Sequence, residues 1–351
     1  MDDSSLDVRQ GIEPPGEINP RLTWSAHVQT SPELLADQLV AGDRSALSRA
    51  ITLTESTLEF DRNDAVALMD RILPHRVPSW RIGITGSPGV GKSSFIERYG
   101  QLLLAEGHRV AVLAIDPTSP RTGGSILGDK SRMSELAHDE RAFVRPSPSR
   151  GALGGVAHRT REAILLCEAA GYDRILIETV GVGQSEIAVS DLVDCFVLLL
   201  QPGAGDELQG MKRGIMEFAD VVVITKADGD SLNAARIAAT QATQALRWLG
   251  PNSSGRTPTV ALATTQTPEG INDAHKAVQQ YFGHPMSAST FAEVRVSQDM
   301  KWLHQMVMDG VLRRSALTAD LSDKFRRFEQ EIKSGKVSVP SAAEQILREL
   351  K

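Results

Sequence analysis

The run Gly86-Ser87-Pro88-Gly89-Val90-Gly91-Lys92-Ser93 has the spacing of a phosphate cradle, G-x-x-x-x-G-K-[ST]. Glycines let such a loop curl its backbone N–H groups toward an anion. A helix opening directly behind it adds a partial positive charge. In that setting Lys92 reaches the β- and γ-phosphates of a nucleoside triphosphate and Ser93 ligates Mg²⁺, with Gly86 to Ser94 as the expected binding run. The competing reading is a glycine turn with a purely structural role.

Two acidic residues follow apolar runs, Asp116 after VAVLAI and Glu178 after RILI. Both are expected at the carboxyl edge of a sheet, beside the phosphate loop, where Mg²⁺ needs carboxylates. Either could instead cap a helix or form a surface ion pair. Gly181 stands three residues after Glu178, as does the glycine of the D-x-x-G element that meets a γ-phosphate, with Glu in place of the usual Asp.

The segment ITKADGD, Ile224 to Asp230, supplies Thr225-Lys226-x-Asp228, a variant of the guanine-reading N-K-x-D element. A carboxylate at Asp228 can accept from guanine N1–H and from the exocyclic amine. Adenine offers no such pair, so the wrong base leaves a buried carboxylate unpaired. The stem of Lys226 can cover the ring face. A third base-proximal element is expected after the last strand, where Thr264-Thr265 replaces the usual Ser-Ala pair. The bland alternative is a strand end carrying a solvated Lys and Asp.

These residues need a sheet to hold them. Short β-rich runs occur at Arg81–Thr85, Val110–Ile115, Arg174–Glu178, Cys195–Gln201, Val221–Thr225 and Thr259–Ala263, most of them continuously apolar, as in parallel strands covered on both faces. Helical segments lie between them, notably Lys92–Glu106 closed by Gly107 and Arg159–Ala170 closed by Gly171. The pattern predicts an α/β fold: a P-loop NTPase with a doubly wound, mainly parallel sheet and helical N- and C-terminal extensions. The expected organisation is a flexible tail over 1–28, a helical segment over 29–79 with starts at Ser31 and Asp43, a P-loop GTPase domain over 80–285 and a helical arm over 286–351. Helices are expected there at Val296–Ala316, at Ser322–Lys333 and after Pro340.

With 351 residues and 41% hydrophobic content the chain can bury a large core, which excludes a disordered or fibrous protein. A formal net charge of -6 argues against nucleic acid or an anionic membrane as the main partner. Cys167 and Cys195 each sit in an apolar run, so they read as core residues rather than a disulfide or zinc site. No stretch approaches the roughly 20 apolar residues of a membrane span, and the acidic start has no signal segment after it. The plain expectation is a cytoplasmic protein.

Taken in order, GSPGVGKS, AIDPTSPRTGGSILGDKSRM, ETVGVGQSE, QPGAGDELQGMKRG and TKADGD closely resemble the MeaB/MMAA family, also known as ArgK or the LAO/AO transport-system ATPase. The resemblance runs from about Ser31 to the C-terminus. Its second and fourth motifs discriminate, because small GTPases have nothing similar. It implies a GTPase, binding GTP or GDP with Mg²⁺, that acts as a chaperone for methylmalonyl-CoA mutase or a related cobalamin-dependent acyl-CoA mutase. Such chaperones gate adenosylcobalamin loading and protect the mutase from inactivation. It also implies a homodimer built through the C-terminal arm. Carried over by motif, Asp116, Asp129 and Glu178 form the acidic set around Mg²⁺ and the attacking water, and Asp206 and Lys212 belong to a segment that responds to nucleotide and partner.

The expected catalytic set is thus Lys92, Asp129, Glu178 and Lys212. Gln184 could help to place water, although its spacing from Gly181 differs from the Ras-like one. No arginine finger is identifiable, so turnover by the protein alone is expected on the order of 10⁻⁴ to 10⁻² s⁻¹. Rival readings are a P-loop ATPase or kinase linked to arginine/ornithine transport, a metal-insertion GTPase of the nickel type, and a module with a dead nucleotide site. The scattered histidines count against the second.

Overall fold

The computed structural model describes residues 31–56, 58–116, 133–148, 153–179, 189–203, 213–252, 255–284, 287–316, 319–334 and 345. The expected tail, the segment holding Asp129, and Gly181, Gln184, Asp206 and Lys212 lie outside them, as does all but Gln345 of the helix expected after Pro340.

Three helices come first: α1 (Pro32–Val40), α2 (Arg44–Glu55) and α3 (Glu59–Ile72). Their starts are set locally. The Ser31 hydroxyl accepts from Leu34 N–H at 3.3 Å, and Asp43 accepts from Ser45 N–H at 2.7 Å and Ala46 N–H at 3.3 Å, satisfying donors that a helix leaves orphaned. The chain then alternates: β1 (Trp80–Gly86), α4 (Lys92–Ala105), β2 (Val110–Asp116), α5 (Ser134–His138), β3 (Ala142–Pro148), α6 (Leu153–Ala169), β4 (Arg174–Thr179), β5 (Cys195–Leu200), α7 (Arg213–Met216), β6 (Val221–Ile224), α8 (Leu232–Leu249), β7 (Thr259–Leu262) and α9 (Asn272–Phe282). The long α10 (Ser287–Ala316) and α11 (Ala319–Lys333) follow.

The seven strands form one sheet in the order β3-β2-β4-β1-β5-β6-β7, every described pairing parallel. Side chains alternate across it. On one face Ala111, Leu113, Ile115, Ile175 and Ile177 pack with α6 and the three N-terminal helices. On the other, Ile82, Ile84, Val112, Leu176 and Val197 pack with α4 and α9. Leu198, Leu200, Val222 and Ile224 pack beneath α8. Leu47 of α2 is fully buried in the first of these clusters, so the helical preamble shares its core with the sheet. Trimming it to Ala would cost about 2–5 kcal/mol. Cys167 and Cys195 are both buried and free.

Three features depart from the sequence expectation. Strand β3 is additional: Arg145, Pro146 and Pro148 interrupt its apolar run, yet β3 is the outer neighbour of β2, and an edge strand tolerates proline. Helix α6 begins at Leu153 rather than Arg159, through a Gly154-Gly155 pair that helix propensity disfavours. Helix α10 begins at Ser287 rather than Val296, its first turn being polar.

Buried ion pairs fasten α10 to the amino end of the sheet. Arg81 Nε meets Glu168 Oε1 at 2.7 Å, Ser79 Oγ donates to the same oxygen at 2.6 Å, and Arg295 from α10 joins Asp194 at 2.6 Å. Burial alone would push the Glu168 carboxyl up, but Arg81 prevails and holds it below its usual value. No helix of the described residues is long and apolar enough to cross a membrane.

Candidate nucleotide site

Strand β1 lies between β4 and β5, and its carboxyl end runs into the loop 87–91, which α4 continues. This is the edge at which open α/β sheets bind ligands. Gly86 is required there by close approach: a Cβ would sit 2.5 Å from the Leu199 carbonyl oxygen. Gly91, with φ +97°, makes the left-handed turn that opens α4. Val90 is fully buried among the side chains beneath α4, so it anchors the loop and has only its backbone to offer a ligand. The loop closes through Val90 N–H donating to Ser87 O at 3.3 Å.

Lys92 Nζ donates to Gly86 O at 2.8 Å and Ser87 O at 3.2 Å, lying over the cradle rather than in solvent. The buried Ser87 hydroxyl has no hydrogen-bond partner among the described residues. A buried donor without a partner costs about 1–3 kcal/mol, so this hydroxyl is suited to an anionic ligand's oxygen. Ser93 Oγ donates to Glu178 Oε1 at 3.0 Å, and Glu178 is 8% exposed. A hydroxyl and a carboxylate in contact at the head of α4 form a donor set that fits Mg²⁺. Beside them Thr179 Oγ1 donates to Thr85 Oγ1 at 2.7 Å, joining β4 to β1. Asp116 ends β2, which pairs with β4 in the register Ile115↔Thr179, so its backbone reaches the same edge.

The base-reading candidates converge from the other side of β1. Thr225, 5% exposed, donates from its hydroxyl to Val90 O at 2.9 Å and Leu200 O at 3.1 Å, tying the end of β6 to the phosphate loop. This Thr therefore acts as a tether, and its hydroxyl proton is spent on backbone. Lys226 is the one non-glycine with positive φ, +55°, among the described residues. Its ammonium donates to Gly89 O at 3.0 Å and Gln201 Oε1 at 3.0 Å. Asp228 Oδ2 accepts from the Thr264 hydroxyl, and Thr264 N–H donates to Gly270 O at 2.9 Å. Arg98 of α4 donates from Nε to Thr265 O at 3.3 Å.

Positions separated by 137 residues of chain, Gly89 and Lys226, thus meet at one loop. A family model for the methylmalonyl-CoA mutase-associated GTPase MeaB matches residues 47–320. The chain belongs to this family. Among the relatives of this MeaB-family chain, a Mycobacterium tuberculosis protein described as a probable GTPase is 45% identical over 323 residues, spanning 92% of this chain and 96% of that one. The mouse mitochondrial protein named methylmalonic aciduria type A homolog is 43% identical, spanning 89% of this chain and 78% of that one. A crystal structure of an LAO/AO transport system kinase superposes with a TM-score of 0.72 at 34% identity, covering 91% of this chain and 97% of that one. The MeaB-family chain is a P-loop GTPase, and a guanine nucleotide is its ligand.

Sequence reasoning named Lys92, Ser93, Glu178, Thr225, Lys226, Asp228, Thr264 and Thr265, and these lie around the carboxyl edge. It gave no role to Gln201 or Arg98. For Gln201 a signal existed: it follows the apolar run CFVLLL directly, as Glu178 follows RILI.

Proposed function

We propose that this protein is a GTP-hydrolysing chaperone of a cobalamin-dependent acyl-CoA mutase, with methylmalonyl-CoA mutase as the client, and that it acts in the cytoplasm on adenosylcobalamin loading and protection of that enzyme. The observation that carries the guanine-nucleotide part is the joining of two loops: Thr225 and Lys226 each donate to a carbonyl of the phosphate loop, at Val90 and Gly89. Base reading and phosphate holding then share one rigid frame. The mutase part is supported by the family's description and by the mouse relative's name.

In this reading Lys92 and the N–H groups of Gly86 to Ser94, Pro88 excepted, hold the triphosphate, and the N-terminus of α4 faces its charge. Ser93, Asp116, Asp129 and Glu178 would hold Mg²⁺, which would supply neutralisation of the phosphate charge. Glu178, on a rigid strand end, orients water toward the γ-phosphoryl group, and Gly181 offers its N–H there. Lys212 adds positive charge from the segment that answers to the partner. Asp228 accepts from the guanine edge, Thr264 braces that carboxylate, and Lys226 covers the ring.

Helix α10 carries the proposed homodimer contact of the arm 286–351. Val296, Met300, Leu303, Val307 and Val311 recur at helical spacing and are 60%, 49%, 52%, 54% and 52% exposed. An apolar stripe of this length suits a second copy of the same helix.

The test is phosphate release from GTP, with ATP as control, with and without methylmalonyl-CoA mutase from the same source. Guanine-selective hydrolysis stimulated by the mutase is expected. Hydrolysis indifferent to the mutase removes the client assignment, and equal use of ATP removes the base-reading argument in favour of a transport-type ATPase.

A further inference from the structure

Lys226 has an unusual setting for an exposed lysine. Its backbone sits at φ +55°, a region that non-glycine residues occupy rarely and at a conformational cost. That turn is fixed from behind, since Ala227 N–H donates to Ala263 O at 3.0 Å. The side chain is fixed from in front, by the Gly89 carbonyl and the Gln201 side-chain carbonyl, each at 3.0 Å. The two acceptors differ in setting. Gly89 lies in an open turn, where an added Cβ would meet nothing within 4 Å. Gln201 directly follows β5, whose last residues Leu199 and Leu200 are 0% and 1% exposed. A lysine stem has several free rotors, and an ammonium donates in three directions without a preferred plane. An anchor on a rigid strand end decides where such a stem lies.

We propose that Gln201 is a positioning residue for guanine nucleotide: its side-chain carbonyl holds the Lys226 ammonium so that the lysine stem lies where it covers the base. The proposal rests on the base-site reading given above. With the site open the Gln201–Lys226 bond is solvated and contributes little. A purine laid against the stem takes water away from that bond and strengthens it, so its value is expressed in the bound state. Gln201 does not reach the base edge in this scheme. Its effect is therefore blind to the exocyclic amine, which belongs to Asp228.

The experiment compares Gln201→Ala, Gln201→Glu, Lys226→Ala and the double variant Gln201→Ala/Lys226→Ala, in the full chain, by stopped-flow release of a fluorescent GDP and by single-turnover hydrolysis at saturating GTP. Gln201→Ala is expected to release GDP about five- to tenfold faster, with the same factor for inosine diphosphate, an unchanged single-turnover rate and an unchanged nucleotide-free melting temperature. Gln201→Glu keeps an acceptor and is expected to restore slow release. In the Lys226→Ala background the Gln201 change is expected to add nothing. A change in release below twofold, full additivity of the two substitutions, or a loss confined to hydrolysis overturns the proposal. Asp228→Asn separates the underlying reading: if that variant keeps its preference for guanine over adenine nucleotide, the base site itself is misassigned.

Discussion

Ser93 Oγ donates to Glu178 Oε1 at 3.0 Å, so the last hydroxyl of the phosphate-loop motif touches the acidic end of the strand beside it. A residue fixed by a loop motif and one fixed by a strand end thereby form one polar pair, whose oxygens would serve a divalent cation as ligands. Replacement of either member has a specific consequence. Ser93→Ala is expected to raise the Mg²⁺ concentration needed for half-maximal GTP hydrolysis at least tenfold, read by phosphate release across a Mg²⁺ titration. Glu178→Gln is expected to lower the single-turnover rate by about 10²–10³-fold while GDP still binds.

Thr225→Val tests the tether. The substitution keeps the shape and removes both hydroxyl bonds, to Val90 O and Leu200 O. A stability loss of about 1–2 kcal/mol is expected in urea unfolding, together with weaker GDP binding by calorimetry. Retained affinity would show that the phosphate loop holds its shape without β6.

Burial pushes the Glu162 carboxyl on α6 up to about 7, against the attraction of Arg159 and Arg62. The folded protein thus holds a proton there that the unfolded chain releases near 4.5. A raised carboxyl contributes stability below the unfolded value and loses it as pH rises through the folded one. Glu162→Gln mimics the protonated form. It is expected to be near neutral at pH 5 and to stabilise the fold by roughly 2 kcal/mol at pH 8, measured as the difference in urea midpoints at the two pH values.

Leu303→Glu combined with Val307→Glu places two charges on the exposed apolar stripe of α10. Sedimentation velocity is expected to shift from dimer to monomer with the far-UV circular dichroism preserved. A wild-type monomer would withdraw the arm from the dimer scheme.

Glu168→Gln removes the charge that Arg81 and Arg295 share at the amino end of the sheet, leaving buried guanidinium groups underpaired. A cost of about 3–5 kcal/mol is expected, seen as a lower thermal midpoint, since breaking one partner of a buried pair strands the other. Glu168 pairs with Arg81 at the amino end of the sheet, opposite the carboxyl edge that carries the nucleotide loops, so GDP affinity per folded molecule should hold.

Much of the core was readable because its signals are local. Ile82, Leu176, Val197 and Val223 each sit in an apolar run with both faces covered, which periodicity reports as a buried parallel strand. Strand β3 was not readable, since Arg145 and two prolines mask it and only its edge place beside β2 makes them tolerable. The start of α6 was hidden likewise by Gly154-Gly155, which helix propensity disfavours.

The sequence by itself determined the chemistry available to this protein: a glycine loop with Lys92 and Ser93, carboxylates at strand ends, Asp228 for a base edge and a family to which those motifs belong. Each of those follows from residue types at short spacing. Only the tertiary structure decided which groups meet. Thr225 is a tether because β6 ends against Val90, Thr264 braces Asp228 because β7 pairs with β6, and Gln201 reaches Lys226 because β5 and β6 are neighbours. Such contacts arise from strand order and register, which join residues far apart in the chain and leave no trace in any local window of it.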